Sequence, residues 1–210
     1  MRGLNAVPVS WSNFDTGQYL FTAVCDLTKD LSLFPGLDVP LEYWERKRSG
    51  QTMPGRQDID PVEMHDFLSR IALLDVMRRP VRFRYRVCGT GVCHVHPCDT
   101  TGLWVDKLEP EPYSAMLHEQ YFDVVRTRRP AMHLNVFDSH DHYRAYAHVL
   151  LPLSRNHDAV DMVLSVDSIA QDKAEMMELL VYLQRRAGVE PGSPSLYARN
   201  APRRLAASGA

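Results

Sequence analysis

The chain has 210 residues, 45% hydrophobic and 24% charged, with a formal net charge of −2. This composition excludes a disulfide-knit miniprotein, a collagen-like chain and a wholly disordered chain, and the balanced charge gives no global field toward nucleic acid or an anionic membrane. No apolar run approaches the roughly 18 residues of a membrane helix and the first residues carry no signal-peptide pattern, so a cytoplasmic location is expected, with Cys25, Cys88, Cys93 and Cys98 reduced.

Residues 1–12 carry Gly3, Pro8 and polar spacers and are expected to be loose. Leu20, Val24, Leu27, Leu31 and Phe34 recur at steps of four and three. That spacing predicts an amphipathic helix from Asp15 to the stop at Pro35-Gly36, a candidate dimer element. A short helix is expected over 39–49, then a polar loop. Asp60 as N-cap, Pro61 at the first position and Glu63 three residues after the cap predict a helix to about Ser69.

Ile71–Met77 reads as a short strand. In the next, Val81, Phe83, Tyr85 and Val87 alternate with Arg82, Arg84 and Arg86, which predicts one buried and one wet face. Residues 91–110 look irregular. A helix over 112–128 has its stripe at Leu117, Tyr121 and Val124, and closes at Pro130. Three strands follow, Ala131–Phe137, Tyr143–Leu153 and Val160–Val166, joined by short polar connectors. The last helix runs from about Asp172 to Arg186, with acids early and bases late. The tail beyond Glu190 is expected to be disordered. Consecutive strand hairpins with segregated helices define an α+β domain with an antiparallel sheet.

An ordered series of motifs accompanies this pattern. It comprises Tyr43-Trp44 with a basic cluster, Met53-Pro54-Gly55-Arg56 with Asp58-Ile59-Asp60-Pro61, Phe83-Arg84-Tyr85-Arg86-Val87 leading into Gly89-Thr90, Asp99 with Thr101-Gly102, and Leu150-Leu151-Pro152-Leu153. The series resembles the PAS domains, and more closely a PAS-like family common in alphaproteobacteria. The resemblance implies a five-stranded antiparallel sheet with helices over one face, flanked by N- and C-terminal helices. It divides the chain into an extension with an amphipathic helix (1–38), a PAS-like domain (39–167), a C-terminal helix (168–188) and a tail (189–210). It assigns Trp44, Arg56, Asp58, Arg86, Gly89, Thr90, Asp99, Thr101 and Gly102 to the family motif as structural residues. It further implies a homodimer and a sensory module that binds a small molecule or a downstream signalling protein and signals through its terminal helices. A ligand would sit between sheet and helices, against Phe83, Tyr85, Val149 and Leu151.

The chain departs from the family at Gly91–Cys98, where Cys88, Cys93, His94, His96 and Cys98 crowd together. Thiolate and imidazole are ligands for zinc and other soft metals, and a metal- or haem-binding sensor on segment 88–98 is an alternative reading. The spacing contains no CxxC, so these side chains read equally as packing and surface groups. His133, His140, His142 and His148 form a second cluster on and between two strands, with His140-Asp141-His142 a solvated turn. The Arg82/Arg84/Arg86 stripe finds natural partners in Asp58, Asp60 and Asp75 and lacks stacking aromatics, which argues against nucleic acid. Ser154, Ser165 and Ser168 occupy no nucleophile-elbow setting. The chain therefore reads as a non-enzymatic binding module, with a small α+β enzyme as the remaining alternative and no cofactor specified.

Overall fold

Antiparallel pairing joins every strand among the described residues. The computed structural model describes residues 9–13, 18–92, 99–139, 142–169 and 171–186. Seven strands, Val9–Asn13 (β1), Gln18–Cys25 (β2), Ile71–Arg78 (β3), Val81–Cys88 (β4), Ala131–Ser139 (β5), His142–Leu153 (β6) and Met162–Asp167 (β7), form one sheet in the order β1-β2-β5-β6-β7-β3-β4. Helices Asp38–Arg48 (α1), Glu111–Thr127 (α2) and Lys173–Arg186 (α3) complete the α+β fold. The five strands β3–β7 are the ones expected from the sequence.

The N-terminal extension differs from expectation. No helix runs from Asp15 to Phe34. Residues 18–25 instead form β2, which pairs with β5 from Tyr19↔Asp138 to Cys25↔Met132, and β1 adds outside it over residues expected to be loose. The apolar steps of three and four fitted a helix, but Gln18–Cys25 is rich in aromatic and β-branched residues. The open edge of β5 offered a full ladder of hydrogen bonds. Leu20, Ala23 and Cys25 are buried by facing opposite sides of the sheet, which hides the two-residue period. The segment 61–70 also differs. Asp60 Oδ1 accepts the Val62 amide as the expected cap, but two 3-10 turns, Pro61–Met64 and Leu68–Arg70, replace a continuous helix.

Helices cover both faces of the sheet, not one. α2 lies on the face carrying Tyr85, Leu74, Ser165, His148 and Asn135, as its hydrogen bonds to that face show. α3 packs on β2 and β6 from the other side, turning Met176 and Leu183 inward. Both strand parities are consequently apolar: Leu134, Val149, Leu151, Leu164 and Val166 on one face, Leu74, Leu150 and Val163 on the other, all at most 1% exposed. At about 25 cal/mol per Å2 of apolar area removed from water, this two-sided burial is the main source of stability.

One ion pair fastens α3. Asp30, fully buried, accepts the Asp26 amide at 2.7 Å and takes both guanidinium nitrogens of Arg186, Nη2 at 2.6 Å. Removing one partner of a buried pair strands the other, a cost moderated here because the Arg186 side chain is 36% exposed. Asp30→Asn is expected to lower stability by about 1–2 kcal/mol in urea titrations. Amide exchange should accelerate in α3 before it does in β6.

Candidate functional site

α2 begins at Glu111-Pro112 and ends where Arg128 adopts φ 58°, and its inward stripe is Tyr113, Met116, Leu117, Gln120, Tyr121 and Val124. Gln120 is the one amide on that stripe, and it organises a buried polar layer. Its Nε2 donates to Thr22 Oγ1 and to Asn135 Oδ1, both at 2.8 Å, and Thr22 Oγ1 donates to the same Asn135 oxygen at 2.7 Å. Because Nε2 faces β2 and β5, Oε1 faces β6 and meets His148 Nε2 at 3.0 Å. His148 Nε2 also stands 3.4 Å from Asn135 Nδ2, and the closer contact, to a carbonyl oxygen that only accepts, assigns the His148 proton to Nε2. Its Nδ1 lies 3.3 Å from Ser165 Oγ on β7. One side chain of α2 thus engages strands β2, β5 and β6, and reaches β7 through the imidazole.

His133 lies opposite His148 in the β5–β6 register, their ring centroids 5.7 Å apart. It is 3% exposed and its Nδ1 has no hydrogen-bond partner among the described residues. Burial pushes its pKa down to about 4. Asp167, 8% exposed, sits across from His148 on β7, and burial pushes its carboxyl up to about 7 against the pull of Arg70. The Arg70 guanidinium donates to the Asp167 backbone carbonyl and to that of Gly36. Two tyrosine pairs border the layer: Tyr85 and Tyr121 hydroxyls at 3.4 Å, Tyr113 and Tyr146 at 2.8 Å.

The residues expected to line a ligand site divide between the two faces. Phe83 and Tyr85 lie under α2, Phe83 against the Tyr121 ring at 5.4 Å. Val149 and Leu151 do not join them, because register places Pro152, Leu150 and His148 on the α2 side and sends Val149 and Leu151 to the opposite face. Polar residues of these strands that alternation alone would turn to water are covered by α2. Sequence reasoning missed Gln120, Asn135, His133 and His148 as one site. The available signal was Gln120 itself, an amide four positions before Val124 on a buried face otherwise made of aromatic and aliphatic residues and Ser114.

The family-motif residues perform local work around this layer. Trp44 Nε1 donates to the Pro152 carbonyl at 2.8 Å, tying α1 to β6. Arg56 Nη1 donates to the Ile59 carbonyl and Asp58 accepts the Gly55 amide, closing the loop between them. Arg86 pairs with Asp75 at 2.9 Å. A bulge opposite Leu73/Leu74 turns Val87 out of the inward set, leaving it 44% exposed. Gly89 donates to the Ile71 carbonyl, and a Cβ there would stand 2.3 Å from the Ser69 carbonyl oxygen, so only glycine fits. Thr90 is exposed. Asp99 accepts the Thr101 amide, Thr101 Oγ1 accepts the Cys88 amide, and Gly102, at φ 86°, donates to the Tyr85 carbonyl.

Cys93, His94, His96, Cys98 and His140 lie outside the described residues. Cys88 Sγ contacts Thr100 Oγ1 at 2.8 Å. Among the described residues, no group of three or more His, Cys, Asp or Glu stands in a metal-binding arrangement, and no helix is long and apolar enough to cross a membrane. The basic stripe is largely neutralised. Arg82 pairs with Asp106 at 2.8 Å and stacks over Trp104 at 4.0 Å, while Arg84 donates to the Gly102 carbonyl.

Two titratable groups of the layer, His133 and Asp167, oppose each other. His133, depressed in the folded state, loses stability as pH falls from about 6.5 to about 4. Asp167, raised in the folded state, loses it as pH rises from about 4 to about 7. The slopes nearly cancel between about pH 4 and 6.5, each bounded by about 1.4 kcal/mol per pH unit. Relative to the parent, stability of Asp167→Asn should rise with pH across that window, and that of His133→Phe should fall. Urea titrations at several pH values check both signs.

No curated protein and no solved structure matches the chain. Residues 37–166 match the family described as PAS domain. That span holds α1, α2, strands β3–β6 and all of β7 but Asp167, and covers more than half of the chain, and the protein belongs to the PAS-domain family.

Proposed function

We propose that this PAS domain is a non-catalytic sensory module that takes a small hydrogen-bonding molecule between α2 and the sheet. The observation that carries the reading is His133 Nδ1, a buried nitrogen without a partner among the described residues, beside a polar layer whose Gln120, Asn135, Thr22 and His148 side chains are hydrogen-bonded to one another. An unmet group of this kind costs about 1–3 kcal/mol, and a ligand that hydrogen-bonds to it recovers that cost on binding. The layer approaches the surface on the β2 side, where Val24, the register partner of His133, is 40% exposed.

Output follows the backbone. Asp167, across from His148, leads into Ser168 and Ile169, whose amides donate to the Ala147 and Pro35 carbonyls at 2.8 Å. α3 starts five residues after that exit and is held by Asp30. A ligand that binds one α3 arrangement better than another shifts the population between them, and α3 then presents or withholds a surface for a downstream signalling protein.

Native mass spectrometry of the freshly purified protein, beside a denatured control, tests the reading. It predicts an added mass that vanishes on denaturation and that Gln120→Leu and His133→Phe reduce while circular dichroism stays unchanged. A protein at its sequence mass in both spectra contradicts it.

A further inference from the structure

Asp167 brings a carboxyl into the layer under α2. It is the register partner of His148, so the two side chains share the α2 side of the sheet. The residue is 8% exposed, and its carboxyl makes no hydrogen bond and no ion pair among the described residues. The guanidinium of Arg70 pulls on it but donates to backbone instead, to the Asp167 and Gly36 carbonyls. His148 is engaged by Gln120 and Ser165. The rings of Tyr121 and Tyr146 stand 6.5 Å and 5.5 Å from the His148 ring, and Asp167 is among the charges that act on both phenols. Among the described residues, no lysine or arginine is buried in the layer.

A carboxylate withdrawn from water with no counter-charge is costly, and the missing partner is a cation. Aromatic rings beside the carboxylate add the quadrupole attraction that favours an organic ammonium over a neutral group. An anion meets repulsion from the carboxylate, and a neutral molecule leaves its charge unbalanced. His133, whose Nδ1 has no partner among the described residues, flanks His148 on the other side. Its strand lies two strand spacings from β7, about 10 Å. A molecule that satisfies both groups is an amine with a second hydrogen-bonding group at its far end.

We propose that the site between α2 and the sheet takes a small organic cation, an amine whose ammonium pairs with the Asp167 carboxylate against the Tyr121 and Tyr146 rings. This names the ligand class for the small-molecule reading above and rests on it. The groups around the carboxylate are His148 and Tyr146 from β6, Tyr121 from α2 and Arg70 from the turn before β3. Burial above all keeps both phenols protonated, and an arginine keeps its charge at neutral pH. Burial pushes the Asp167 carboxyl up to about 7, so an arriving ammonium displaces a proton from it at lower pH.

Isothermal titration calorimetry tests it with phenethylamine and 1,4-diaminobutane, beside 2-phenylethanol, 1,4-butanediol and 3-phenylpropionate as neutral and anionic counterparts. The amines should bind about tenfold or more tighter than their counterparts at about pH 7.5. Amine affinity should fall about tenfold per pH unit below about pH 7. In two buffers of different ionisation enthalpy, wild type at about pH 6 should release about one proton per amine bound, a readout that needs no variant. Asp167→Asn, its fold checked by circular dichroism, should bind the amines about tenfold or more weakly and without that pH dependence. Neutral or anionic probes binding as tightly as the amines, amine affinity unmoved by pH, or an unchanged Asp167→Asn would each overturn the proposal. If no probe binds while wild type carries an added mass in native spectra, the cation is overturned and the small-molecule reading stands. An absent mass as well removes both.

Discussion

The hydrogen bond from His148 Nε2 to Gln120 Oε1 joins the central strand of a seven-stranded sheet to the helix that covers it. A buried amide has four hydrogen-bonding positions, and here each strand it touches meets one: Thr22 from β2, Asn135 from β5 and His148 from β6. Leaving any of these unmet in the interior would cost more than the bond itself contributes. The layer therefore specifies one seating of α2 on the sheet, where an all-leucine interface would tolerate several.

Covering the sheet on both sides is what makes this possible. With α2 on one face and α3 on the other, β5 and β6 are buried at odd and even positions alike. Met132, Leu134 and Val136 form the apolar seam under α3, while His133 and Asn135 complete the polar layer under α2. The strand pair β1–β2 extends this arrangement past β5 and supplies Thr22, so the N-terminal extension is part of the site. The same extension carries Asp30, which anchors Arg186 of α3. One short segment thus contacts both the interior polar layer and the terminal helix.

Much of this architecture was legible in the sequence, and the rest was hidden for physical reasons. The strands 71–77, 81–87, 131–137, 143–153 and 160–166 announced themselves through composition and punctuation, as did α2 and α3 through their charged ends. The segment 18–25 did not, because burial on both faces erased its alternation and left a stripe that a helix would also produce. His133 and Asn135 alternate with Met132, Leu134 and Val136, a pattern that ordinarily marks a solvent-facing side. Only the position of α2, a long-range fact, reverses that meaning. Val149 and Leu151, expected beside Phe83 and Tyr85, lie on the opposite face by register.

The structural path from the interior to α3 follows β6 and β7, since His148 contacts Ser165 and lies across from Asp167, which ends β7 ahead of the connection to α3. All of it presumes that the imidazole of His148 is oriented by Gln120. Long-range nitrogen–proton correlation spectroscopy on histidine-labelled protein reads that orientation directly. The account predicts a proton on Nε2 of His148 and a lone pair on Nδ1. A ring protonated on Nδ1 with Nε2 bare would contradict it, because that lone pair would then face the Gln120 carbonyl oxygen.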